Sequence, residues 1–122
     1  MANYDVIDEA ITDEISISGR YTGDPGGMPR LFLPYVLGTS EDPDSTTNEP
    51  MVLCYQYGGF SKEPLKTPHP HPHNWKCFRV LSFVGTVTKV TAAPPFTPAS
   101  MNGKQRKRQN CVQTIENFAN HN

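Results

Sequence analysis

The chain has 122 residues, a formal net charge of −1 and a mean hydropathy of −0.53, which suits one domain with a modest core. Its 12 prolines and 9 glycines argue against a helical bundle. No apolar run approaches the ~18 residues of a membrane span. Charge is unevenly placed: residues 1–63 hold 3 Lys and Arg against 11 Asp and Glu, whereas residues 64–122 hold 8 against 1.

Val6, Ile7, Ala10 and Ile11 recur at helical spacing, and Ile15-Ser16-Ile17-Ser18 then alternates. This predicts a short helix or arm within the acidic first 20 or so residues, followed by a brief strand. The N-terminus lacks the basic and apolar regions of a secretory signal. Cys54, Cys77 and Cys111 are widely separated and form no CxxC, which reads as reduced thiols in a cytoplasmic protein.

Gly23-Asp24-Pro25-Gly26-Gly27 is a turn sequence. Residues 30–36 are β-prone, and Pro34 points to an edge or a bulge. Residues 38–50 form an acidic loop. Residues 51–57 read as a strand ended by Gly58-Gly59. Residues 78–84 and 86–91 read as two further strands, paired through a bend at Gly85. Tyr55, Tyr57, Phe60 and Trp75 are expected in the core rather than stacked on nucleobases.

A basic tail over about residues 99–122 carries Lys104, Arg106, Lys107 and Arg108, then Val112, Ile115, Phe118 and Ala119 on one face of a short helix. The basic run reads as a solvated loop, and no nucleic-acid partner is expected from it. No nucleophile elbow or phosphate loop is present.

The chemistry concentrates in Thr67-Pro68-His69-Pro70-His71-Pro72-His73-Asn74-Trp75. On an extended strand His69, His71 and His73 share one face, where imidazoles bind transition metals. In a polyproline II helix they splay apart and the segment becomes a stiff spacer. On a strand the three span about 13 Å at ~3.3 Å per residue, so neighbours chelate most readily. His71 and His73 are then the core pair and His69 an optional ligand. With Cys77 as a thiolate, the set suits zinc or copper(I).

The stretch from His71-Pro72-His73 through Phe83-Val84-Gly85-Thr86 resembles the first metal-binding motif of the cupin superfamily. In that family HxH and a following Glu ligate metal, and a Gly closes the turn after the next strand. Lys76-Cys77 stand here where the similar cupins carry Asp-Glu, and His121 is the one histidine in the C-terminal third. With the β-prone runs, the resemblance implies an all-β chain folded as one domain over residues 1–122. That domain would be a small or incomplete jelly-roll barrel with short terminal helices. It would hold zinc, copper, iron or manganese at His69, His71, His73 and Cys77, beside a pocket lined by Leu53, Tyr55, Phe83 and Val87. The function implied is a metal-binding domain, a diverged small-molecule enzyme without assignable catalytic residues. The alternative is a non-enzymatic interaction or structural protein, such as a viral or assembly component, whose acidic and basic halves bind partners. A small-molecule ligand and a homodimer are the expected partners.

Overall fold

The computed structural model describes residues 2–39, 50–69 and 71–94. Helix α1 (Ala2–Asp13) is followed by strands β1 (Ser16–Tyr21), β2 (Arg30–Thr39), β3 (Pro50–Gly59), β4 (Trp75–Arg79) and β5 (Phe83–Val90). All strand pairs are antiparallel, in one sheet of order β4-β3-β2-β1-β5. The mostly-β expectation therefore holds. The jelly-roll expectation does not describe what is seen: among the described residues there is one open sheet, with β4 and β5 at its edges. The expected C-terminal helix, the basic run, His121 and most of the 38–50 loop lie outside the described residues.

The helix forms as its spacing requires. Ile7, Ala10 and Ile11 are buried against the sheet, while Asp5 and Glu9 stay exposed. Its start is tied to the far edge strand. The Asn3 side chain donates to the Gly85 carbonyl at 2.8 Å and accepts from the Val87 N–H at 2.9 Å. An ion pair between Glu9 and Lys89 at 2.6 Å joins the same two elements.

The sheet buries side chains on both faces. One cluster joins Ile7, Ala10 and Ile11 of α1 to Ile17, Phe32, Val52, Cys54, Phe78, Phe83 and Val87. The other holds Leu33, Tyr35, Val36, Leu53, Tyr55 and Trp75. Alternation along β3 sends Val52 and Cys54 one way and Leu53 and Tyr55 the other. The single pocket expected from Leu53, Tyr55, Phe83 and Val87 is thereby split, because these residues belong to opposite faces.

Pro34 sits in a central strand and is accommodated by a bulge, since the register slips between Pro34 and Val36. The expected hairpin at Gly85 is replaced by a different arrangement. A 3-10 turn at Val80–Ser82 separates β4 from β5, and β5 runs through Gly85 to pair with β1. Gly85 has φ +71°, within the stretch where the β1–β5 register shifts. It therefore serves a bulge in one strand rather than a turn between two.

Candidate functional site

At one end of the helix-side face, a buried polar network fixes the loop after β3. The Asp24 carboxylate takes two hydrogen bonds from Arg30, Nε at 2.8 Å and Nη2 at 2.9 Å. Both side chains are nearly inaccessible, at 7% for Arg30 and 0% for Asp24. The third Arg30 donor, Nη1, reaches Gln56 Oε1 at 3.1 Å. Gln56 Nε2 passes the connection on, donating to the carbonyls of Gly58 (3.1 Å) and Phe60 (2.6 Å). The guanidinium also lies 5.5 Å from the Phe60 ring centre and 5.3 Å from that of Phe78. This chain of contacts places Ser61 and Glu63 beside β4.

Lys76 reaches into that corner. It stands opposite Cys54 in the β3–β4 register, on the same face as Phe78 two residues on. Its ammonium donates to Ser61 Oγ at 2.7 Å, and the Ser61 hydroxyl in turn donates to the Glu63 carbonyl at 2.5 Å. Burial, and then the nearby Arg30 charge, lower the Lys76 pKa from its usual value, while Glu63 and Asp24 oppose the shift. Lys76, Glu63, Pro64, Leu65, His73 and Asn74 line a cavity of ≈ 210 Å³.

The histidine segment is neither the expected strand nor, as a whole, a repeating extended helix. It bends, with a cis Thr67–Pro68 bond, and closes in a 3-10 turn at Pro72–Asn74. Its anchor is the hydroxyl of the fully buried Tyr55. That oxygen accepts from the His71 N–H at 2.8 Å and from Asn74 Nδ2 at 3.0 Å, and lies 2.6 Å from His69 Nδ1. A phenol has two acceptor lone pairs and one proton. With both lone pairs engaged, its proton goes to His69 Nδ1, which makes His69 the Nε2–H tautomer. Asn74 is oriented just as firmly, because its Oδ1 accepts from Lys66 N–H at 2.8 Å and its Nδ2 donates to Lys66 O at 2.7 Å.

The three imidazoles consequently do not converge. His69 is spent on Tyr55. His71 Nδ1 accepts from the His73 N–H at 3.1 Å. The His71 and His73 rings are brought to 6.4 Å between centres, nearly perpendicular. His73 Nε2 lies 3.2 Å from Glu63 Oε2, both exposed. Cys77 packs against the same Tyr55 cluster that anchors the histidine segment, but it is disulfide-bonded, so it offers the histidines no thiolate. The expectation of reduced thiols fits Cys54, which is free and buried, and not Cys77. No group of three or more His, Cys, Asp or Glu positioned to hold a metal occurs among the described residues.

The site expected from the histidine motif does not include Lys76, Ser61 or Glu63. One signal pointed to Lys76. In the alternating run Trp75-Lys76-Cys77-Phe78, Lys76 shares the face of Phe78, and a lysine on an inward face requires a reason. Among the described residues, no helix is long and apolar enough to cross a membrane. No family model, curated protein or solved structure matches the chain.

Proposed function

We propose that this protein is a ligand-binding module without catalytic activity of its own, and that the cavity at Lys76 takes a small oxyanion-bearing molecule. One observation carries this reading. Lys76 is partly buried and lines a ≈ 210 Å³ cavity, and the hydrogen bond of its ammonium among the described residues goes to a neutral hydroxyl. A desolvated cation beside the Arg30 charge gains from an incoming carboxylate or phosphate. Arg30 cannot play that part, since Asp24 already neutralises it. The histidine segment serves as a wall, held shut by Tyr55 and Asn74.

The test is an NMR titration of the full chain with acetate and with inorganic phosphate. Saturable shifts at the Ser61, Glu63, Asn74 and Lys76 amides, abolished in Lys76→Gln, support the reading. Absence of saturable shifts with both anions overturns it.

A second reading keeps a metal, on the strength of Glu63. Two ligands on a tetrahedral zinc with bonds of about 2.0–2.2 Å stand roughly 3.3 Å apart. His73 Nε2 and Glu63 Oε2 are separated by 3.2 Å. Glu63 thus offers in space the carboxylate that the motif lacks in sequence, with His71 beside it. Metal content of protein purified without chelating resin, compared with a Glu63→Gln, His73→Ala variant, decides this reading.

A further inference from the structure

We propose that Lys76 captures a small carbonyl compound, a 2-oxo acid or an aldehyde acid, by forming an imine inside the cavity. This rests on the cavity being an anion-binding site, and adds a covalent step to it. Such a ligand brings the carboxylate that the corner favours and an electrophilic carbon for the amine.

Three features of the corner meet the demands of imine formation. First, the amine must be reachable and ready to lose its proton. Lys76 lines the cavity, and its burial and the Arg30 charge favour the free amine over the opposing pull of Glu63 and Asp24. Lys89 offers the contrast: paired with Glu9, it is held above the usual lysine value. Second, the amine must be aimed. Ser61 Oγ gives its own proton to the Glu63 carbonyl, so it presents a lone pair to Nζ and holds the lysine in place. Third, a group must carry protons between nitrogen and oxygen. His73 and Glu63 line the same cavity as a hydrogen-bonded pair.

The step balances without oxidant or reductant. The Nζ lone pair attacks the carbonyl carbon, and the C=O π electrons move to oxygen. A proton passes from nitrogen to that oxygen, giving a carbinolamine. Protonation of its hydroxyl, loss of water and formation of the C=N bond complete an imine. Hydrolysis reverses each step, so capture is reversible.

The experiment incubates the full chain with glyoxylate and sodium cyanoborohydride near neutral pH, then locates carboxymethyl-lysine by peptide mass spectrometry. Lys76 should be modified about tenfold or more faster than Lys62, Lys66 or Lys89, as expected of a desolvated lysine beside another cation. Excess acetate, which has no reactive carbonyl, should protect Lys76 and leave the other lysines unchanged. Lys76→Arg should retain acetate binding, because the charge remains, and lose the selective adduct. Equal modification of all four lysines overturns the imine, whether or not acetate binds. If acetate still binds in that case, the anion-binding reading survives alone; if acetate fails to bind the unaltered chain, that reading falls too.

Discussion

Lys76 pairs with Cys54 across the β3–β4 ladder, a lysine directly opposite a cysteine with no exposure at all. The pairing places the lysine's stem on apolar ground and leaves only its tip in a polar corner. Burial pushes the Cys54 pKa well up, which marks the same dry surroundings.

Oxyanion binding should therefore fall with rising pH before ordinary lysines titrate. The Lys76 pKa is lowered from 10.5, so its charge is lost below that value. The groups facing it are Arg30, Glu63, Asp24 and, across the cavity, His73. Stability should move the opposite way. Between the folded pKa and 10.5 the unfolded chain binds more protons, so this group's contribution to stability rises with pH there. Acetate titrations at stepped pH, set against Lys76→Arg, check the binding limb. Affinity that stays level up to pH 10.5 would contradict it.

Removing Asp24 should be costly. Asp24→Ala leaves the Arg30 guanidinium buried beside Gln56 with its counter-charge gone, a loss of about 3 kcal/mol or more. The Arg30 hydrogen bonds hold the Asp24 pKa below 3.8. A depressed carboxylate contributes stability that is complete above the unfolded pKa and is lost as pH falls through the folded one. Urea denaturation of the unaltered chain should accordingly show a drop in stability below about pH 4 that is smaller in Asp24→Ala, where the Glu9 pair with Lys89 still titrates.

Tyr55→Phe isolates the hydroxyl while keeping the ring that packs against Trp75. It takes the shared acceptor from the His71 N–H and from one of the two Asn74 Nδ2 hydrogens, and removes the proton given to His69 Nδ1. A cost of about 1–3 kcal/mol is expected. Nitrogen chemical shifts of His69 should show a single Nε2–H tautomer in the unaltered chain and a mixture in the variant. A mixture in both would contradict the hydrogen-bond assignment.

Two glycines should respond very differently to the same substitution. Gly59 has φ +78°, and an added Cβ would lie 2.0 Å from the Pro29 carbonyl oxygen, backbone that cannot step aside. Gly59→Ala should disrupt the end of the β2–β3 ladder at Arg30, at about 4 kcal/mol or more. Gly85 has φ +71° with open space around it, so Gly85→Ala should cost only the left-handed backbone penalty, about 1–2 kcal/mol. Thermal melts of the two variants side by side test the ranking.

Local pattern made α1 and the first three strands legible, because each carries its own period. Ile7, Ala10 and Ile11 mark a helix face, and Val52 to Gln56 alternates between two buried sides. The region 75–90 departs from its local pattern for a physical reason. Val80-Leu81-Ser82 looks like strand by composition, yet it turns the chain, and Leu81 ends up exposed. Partner choice is non-local: nothing near Gly85 says that β5 pairs with β1, some 65 residues earlier. The site suffered likewise. Histidines at i, i+2 and i+4 share a face only if the backbone is extended, and the Tyr55 hydroxyl, 14 to 19 residues away in sequence, bends it instead.

The burial of β3 on both faces bears on time as much as on shape. From Val52 to Gln56 every side chain is covered, and from Val52 to Tyr55 both ladder edges are paired. Their amide protons should exchange only when the whole domain opens. Among the described residues, the wall at His71 and Asn74 hangs on that strand through side-chain hydrogen bonds to the Tyr55 hydroxyl rather than through ladder bonds. Its opening should therefore cost less than that of the sheet, which would give a ligand a route to Lys76 that does not pass through unfolding.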